Sequence, residues 1–252
     1  MSIDSNEDLE GIKKVSEAVA ITLRKMREHA RPGMTTKELD DFGYKLLQSY
    51  NAQSAPKITY DFPGYTCISI NYEAAHGIPS DKTVLKEGDL VNIDVSAELN
   101  GYYADNGGSF ILGEDVHGLN KLVDASVTAL YKALKEIKGG KKIAEIGRII
   151  ETEAKKNGFK VIKNLVGHGV GRSLHEEPHE IPCFYDKQET RRFRKNTVVA
   201  VETFISTKGS YVHEKGDGWT LLADAGAFVA QHEHTILITD GEPIILTAAN
   251  GI

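Results

Sequence analysis

The chain says the same thing twice. Leu9, Ile12, Val15, Ala18, Val19 and Leu23 recur at spacings of three and four, which predicts an amphipathic helix over 8–30. Pro32-Gly33 breaks it, and Thr35-x-x-Glu38 is a capping-box signature that opens a second helix with Leu39, Phe42, Leu46 and Leu47 on its buried face. From about residue 120 the order returns: Leu122, Val123, Val127, Leu130, Leu134 and Ile137, the breaker Gly139-Gly140, then Ile143, Ile146, Ile149 and Ile150. Gly33 and Gly140 correspond at an offset of 107, as do Leu39 with Ile146 and Phe42 with Ile149. The strands follow the helices, because Leu90-Val91-Asn92-Ile93-Asp94-Val95 matches Val198-Val199-Ala200-Val201-Glu202-Thr203 at an offset of 108. Solenoid periods run about 20 to 50 residues, so a repeat this long suits two homologous halves of one compact unit. The expected fold class is α+β: two pseudo-twofold-related halves, roughly 8–118 and 119–245, each of two helices and antiparallel strands. They should share one sheet and one core within a single domain over 1–252, with a site where the copies meet.

Composition narrows the function classes. The 252 residues are 40% hydrophobic and 26% charged, which excludes a disordered, collagen-like or coiled-coil chain. A formal charge of -6 argues against nucleic acid as a partner, and the one basic cluster, Arg191-Arg192-Phe193-Arg194-Lys195, reads as a solvated loop. No apolar run reaches the length of a membrane span, and the acidic, polar start Met1 to Asp8 does not resemble a signal peptide. Two cysteines, Cys67 and Cys183, make no disulfide framework and no Cys-x-x-Cys pair, so a cytoplasmic location is expected.

The chemistry gathers where the repeat carries carboxylates. Asn100-Gly101 between alternating segments predicts a two-residue hairpin, across which residue numbers sum to 201. Ser96 then faces Asp105 and Asp94 faces Gly107, leaving Asp94 and Asp105 as diagonal neighbours on one face, about 7 to 8 Å apart at Cα. Two inward carboxylates need a cation, a shared proton or water, unless that face is simply exposed. Glu202 holds the place equivalent to Asp94, and Glu233 immediately precedes the apolar run Thr235 to Thr239, read as another strand, so four carboxylates point at one seam. The segment Gly167 to Pro178 adds His168 and His175 among glycines, whose flexibility should let an imidazole reach the site. Four carboxylates and a neutral imidazole form a mixed nitrogen and oxygen set suited to two first-row divalent cations, and metal-assisted hydrolysis follows as the reaction class.

Asp94, Asp105, His168, Glu202 and Glu233, with His76-Gly77-Ile78-Pro79, resemble type I methionine aminopeptidases of the pita-bread fold, from the first helix to the last strand. The resemblance implies one curved sheet shared by the two halves. It also implies two divalent ions, whether cobalt, manganese, iron or zinc, bridged by Asp105 and Glu233, with Asp94 chelating one and His168 and Glu202 completing the other. Glu202 would double as proton shuttle, His175 would hydrogen-bond the scissile carbonyl, and His76 would contact the substrate amide and help move a proton. The implied methionine pocket comprises Phe62, Cys67, Leu174 and Trp219, with Tyr60 nearby. Leu174 stands where the family has an aromatic residue, and Asn106 where a threonine usually supports the ligands. The length leaves room for neither an N-terminal zinc-binding extension nor the helical insertion of type II enzymes. The implied partner is a peptide or nascent chain with an N-terminal methionine and a small second residue, acted on by a monomer. Two rivals share the ligand set: a hydrolase of bonds before proline, which His76-Gly77-Ile78-Pro79 disfavours, and a non-catalytic binding module, which should have lost ligands.

Overall fold

The structure is a computed structural model that describes residues 1–252. In chain order it runs α1 (Asn6–His29), α2 (Thr36–Ser49), β1 (Gln53–Ser54), α3 (Ala55–Tyr60), β2 (Cys67–Ile70), β3 (Glu73–Ala75), β4 (Leu90–Leu99) and β5 (Tyr102–Ile111). There follow α4 (Asn120–Glu136), α5 (Ile143–Lys156), β6 (Lys160–Val161), β7 (Val166–Gly169), β8 (Glu176–Pro182), β9 (Val198–Ser206), β10 (Val212–Glu214), β11 (Leu221–Ala223), β12 (Val229–Leu237) and β13 (Ile244–Ile245). Both helix pairs stand where the apolar spacing puts them. Ser5 caps α1 by accepting from the Asp8 N–H, and Thr35 with Glu38 closes the reciprocal capping box of α2. Gly33 and Gly140, the two breakers, take positive φ of 89° and 84°, a turn conformation that a β-carbon would strain.

Ten strands from both halves join one antiparallel sheet, in the order β1-β4-β5-β12-β9-β7-β8 with β2 paired to β4, β6 to β9 and β13 to β12, while β10, β11 and β3 form a separate three-stranded sheet. The register of the first hairpin is the one its turn requires, with Asp94 opposite Gly107 and Ser96 opposite Asp105. Its counterpart pairs β9 with β12 and sets Glu202 directly opposite Glu233. The seam between halves is β5 against β12, where only His232 and Gly108 pair in register. Thr235 stitches this sparse seam, since its hydroxyl donates to the Asp105 carbonyl at 2.7 Å and accepts from the Asp105 N–H at 3.0 Å.

Three expectations need correction. The apolar interior is two clusters rather than one core: 23 buried residues centred on α1, α2, β4 and β5, and 30 centred on α4, α5, β9 and β12. Each helix pair covers its own end of a continuous sheet, so the sheet, not a shared core, joins the halves. Glu233 lies in the middle of β12 rather than ahead of a strand at 235, because Gln231, His232, Glu233 and His234 replace the usual apolar alternation with side chains that find partners. His232 and His234 turn to the helices, bonding the Ser126 hydroxyl and the Thr247 hydroxyl at 2.9 Å each, while Gln231, Glu233 and Thr235 alternate to the opposite face. His168, finally, belongs to a strand. Its flanking glycines serve close packing and not flexibility, since a β-carbon at Gly167 would come within 2.6 Å of the Ala200 carbonyl oxygen and one at Gly169 within 2.3 Å of that of Glu177.

The loop that leads to β2 is anchored by a buried acid. Asp40 accepts from the N–H groups of Tyr65 and Thr66 at 3.0 and 2.8 Å and from the Thr66 hydroxyl at 2.9 Å, while burial pushes its carboxyl up against the pull of those donors. Asp40→Ala strands these donors and is expected to lower the unfolding free energy by about 3 kcal/mol, read from urea denaturation. A loss below about 1 kcal/mol would show that the loop holds itself in place.

Candidate metal centre

Asp105, His168 and Glu233 place one ligand atom each within 4.8 Å of one another, all three buried. Three separate strands deliver them: β5, β7 and β12. Asp94 and Glu202 stand outside that tight group but line the same cavity of about 420 Å³, Asp94 half-buried at the floor and Glu202 buried beside Glu233. Thus the structure brings all five predicted ligands to one cavity. The same cavity is lined by His76, His175, Tyr60, Phe62, Cys67, Leu174 and Trp219. Phe62 is almost fully buried and meets Trp219 edge-on, with ring centroids 5.2 Å apart, and Cys67 lies opposite Asp94 on β2. Leu174 is buried at the wall.

The electrostatics are those of a site missing positive charge. Burial, then Asp105, then Glu202, raises Asp94 well above the ordinary carboxylate range; burial and the same neighbours raise Glu233 likewise. Burial and Asp105 push Glu202 up to about 8. Burial lowers His168, so its ring is neutral, and its Nδ1–H donates to the Gly169 carbonyl 3.0 Å away. The lone pair of Nε2 therefore faces an Asp105 oxygen at 3.7 Å, acceptor against acceptor. Asp105 Oδ1 and Glu233 Oε1 are buried without any partner. Converging lone pairs, orphaned carboxylate oxygens and an imidazole locked in the ligating tautomer fit a divalent cation site and fit little else.

Several residues around the ligands escaped the sequence reading. Gln231 donates through Nε2 to Glu233 at 3.0 Å and to Glu202 at 3.3 Å, while its Oε1 accepts from Asn92 at 2.8 Å. The repeat carried the signal, because Gln231 stands opposite Phe204 just as Asp105 stands opposite Ser96, one offset of 108 away. Gly107 is what makes room for it: a β-carbon there would meet Gln231 Oε1 at 2.3 Å. His179 also lines the cavity, one turn of chain beyond His175. Asn106, one residue past Asp105, alternates to the other face, where its amide donates to the Val95 carbonyl at 3.1 Å and touches no ligand. His76 sits in the left-handed region at φ 55°, a strained conformation of the kind found at functional sites. Its ring, like that of His175, opens onto the cavity; burial lowers both, His175 to about 4 with His168 as the second cause. A larger cavity of about 950 Å³ lies beside the loop 190–197, and none of the five ligands lines it.

Residues 10–240 match the model of metallopeptidase family M24. The chain belongs to that family. It is 51% identical to methionine aminopeptidase 2 of Bacillus subtilis over 98% of this chain and 99% of that one. It is 42% identical to a methionine aminopeptidase of Staphylococcus epidermidis, covering 98% of each. The crystal structure of the methionine aminopeptidase of Thermotoga maritima superposes with a TM-score of 0.93 at 36% identity, covering 98% of this chain and 99% of that one. Prolidase from Pyrococcus furiosus, at 22% identity and a TM-score of 0.78 over 97% of this chain and 65% of that one, shares the fold. The sheet that closes around paired carboxylates is the pita-bread architecture of M24 peptidases, and divalent metal at the site is a property of the family.

A raised carboxyl is a stability statement with a definite sign. Glu202 keeps its proton up to about pH 8 in the folded, metal-free protein, against an ordinary 4.5. Its contribution is therefore full below 4.5 and lost as pH rises through about 8. Metal-free protein is expected to melt at a lower temperature at about pH 8.5 than at about pH 6, and added manganese should raise the high-pH melting temperature most, because binding displaces protons. Equal melting temperatures at the two pH values in chelator would mean that the carboxylates are hydrated and not buried.

Proposed function

We propose that this chain is a type I methionine aminopeptidase that releases the N-terminal methionine of nascent polypeptides with a small second residue. The single observation that carries the reading is the buried Asp105, His168 and Glu233 cluster opening onto a pocket walled by Phe62, Cys67, Leu174 and Trp219. Asp94, Asp105, His168, Glu202 and Glu233 would hold two divalent ions, which when bound would polarise the scissile carbonyl and make water a nucleophile at neutral pH. The protein groups do the rest. Glu202, a buried carboxylate beside Glu233 on the same cavity, accepts the proton of the attacking water and passes it to the departing amine. His175, kept neutral by burial, donates to the carbonyl oxygen as it gains charge, and His76 hydrogen-bonds the amide on the other side.

The pocket suits a thioether. Aromatic edges of Phe62 and Trp219 and the sulfur of Cys67 offer polarisable contacts. Leu174 in place of an aromatic wall leaves the pocket softer. The type I assignment is supported by the element order of the second half, whose strands β9 to β12 run on with only the short turn Asp224–Gly226 between β11 and β12 and no inserted helical subdomain. Two buried unpaired cysteines suit the reducing cytoplasm in which nascent chains emerge. Residues 1–252 act in this reading as a single catalytic unit whose halves, 8–118 and 119–245, each bring half of the site. Cobalt, manganese, iron and zinc all suit the donor set, which does not by itself choose among them.

Chelator-stripped protein reconstituted in turn with each of those metals should release methionine from Met-Ala-Ser and leave Ala-Pro-Ala intact. Cleavage of the proline peptide alone would overturn the pocket assignment. Glu202→Ala should lower kcat by at least about a thousandfold, so turnover near that of the wild type would remove Glu202 from the mechanism.

A further inference from the structure

We propose that Tyr60 is a positioning residue that holds His175 in the tautomer whose Nε2 carries the proton. The inference rests on the reading of His175 as the group that donates to the scissile carbonyl, and it gives that reading a cause. A neutral imidazole has one donor and one acceptor nitrogen, and only the Nε2–H form can donate into the cavity if Nδ1 is engaged elsewhere. Nδ1 of His175 lies 2.6 Å from the Tyr60 hydroxyl, and Nε2 makes no hydrogen bond to the protein. Two arrangements satisfy that contact on paper. Tyr60 could donate to Nδ1, or Nδ1–H could donate to the phenol oxygen.

Chemistry and field choose the first. A phenol is a strong donor and, with its lone pair drawn into the ring, a weak acceptor; the in-plane lone pair of an imidazole nitrogen is a strong acceptor. The cavity beyond the ring holds Asp105 and Glu233, whose acceptor oxygens, one on each without a partner, are better met by an N–H than by a further lone pair. The same logic, with a backbone carbonyl in place of the phenol, fixes the opposite polarity at His168, where Nδ1–H donates to Gly169 and Nε2 is left as the ligand. Two histidines with ring centroids 4.1 Å apart are thus assigned opposite roles by what their Nδ1 atoms meet.

Both partners are held independently of each other. Tyr60 ends α3, where Asp61 turns the chain at φ 58° and returns its N–H to the Lys57 carbonyl at 3.1 Å; Ser54 caps the other end and its hydroxyl donates to the Tyr65 carbonyl at 2.7 Å. His175 follows the buried Leu174 and precedes Glu176, whose carboxylate accepts from the N–H groups of Arg172 and Ser173 at 3.0 and 3.2 Å. The Tyr60 ring itself is 45% exposed, so its hydroxyl, more than its ring, is what the site uses.

The test is Tyr60→Phe, which keeps the ring and removes the hydroxyl. Long-range ¹H–¹⁵N correlation spectra of protein labelled at histidine nitrogen, metal-free and zinc-loaded, should show His175 with a protonated Nε2 and a pyridine-like Nδ1 in the wild type, and a tautomer mixture in the variant. On Met-Ala-Ser, kcat should fall about tenfold while KM stays within about twofold. A wild-type His175 protonated at Nδ1, or a variant that keeps the pure Nε2–H form with unchanged kcat, would overturn the proposal. A rise in KM with kcat intact would overturn it too, making Tyr60 a substrate contact. If the wild type released no methionine at all, the activity reading would fail, while the nitrogen spectra would still decide for or against the role of Tyr60.

Discussion

Carboxylates crowded in a place with little water govern this molecule. Asp94, Asp105, Glu202 and Glu233 share one cavity with an imidazole whose lone pair faces them, and two of their oxygens have no partner. Such an arrangement is tolerable only where protons or cations neutralise it. The rest of the fold is arranged to hold it in place. The sheet supplies one carboxylate from each central strand, the helix pairs back the sheet from behind, and the seam between β5 and β12 is fastened by Thr235 at the backbone of Asp105.

The pseudo-twofold repeat explains how one chain gathers so many acids without a dedicated scaffold. A strand with a carboxylate at its middle, used twice and turned to face itself, gives Asp94 and Glu202; the partner strands give Asp105 and Glu233. The symmetry is broken where chemistry needs it. Gln231 takes the place equivalent to Asp105 and neutralises two neighbours by hydrogen bonding, and Gly107 takes the place equivalent to Glu233, leaving space for the Gln231 amide.

Histidine polarity is set by the same local economy. His168 donates outward to a carbonyl and offers a lone pair inward, whereas His175 meets a phenol at the same nitrogen. His232 and His234, in the next strand, are buried and low, to about 3 and about 4, and are tied to Ser126 and Thr247 on the helix side of the sheet, away from the metal ligands. Three buried histidines and the more exposed His175 thus present different nitrogens to their surroundings according to what their other ring atoms meet, a distinction that residue type alone does not carry.

Periodicity and repetition were enough to read the two helix pairs, the capping box at Thr35, the Asn100-Gly101 hairpin and the equivalence of Asp94 and Glu202 in the repeat, because each is a local matter of spacing, turn chemistry and strand alternation. The order of Asp94, Asp105, His168, Glu202 and Glu233 along the chain was legible for the same reason, through the resemblance it carries. Strand membership of His168 and the true start of β12 were not. Their glycines and polar residues look like loop until close backbone approach and buried partners are known. Gln231, Thr235 and the contact of Tyr60 with His175 join residues up to 139 positions apart, and no pattern along the chain reports which hydroxyl or amide will face which acid. Sequence alone determined the two helix pairs, the first hairpin and the residue types that meet at the site. Only the tertiary structure decided which lone pairs converge, since that depends on how a twisted sheet closes and on the dehydration its closure imposes.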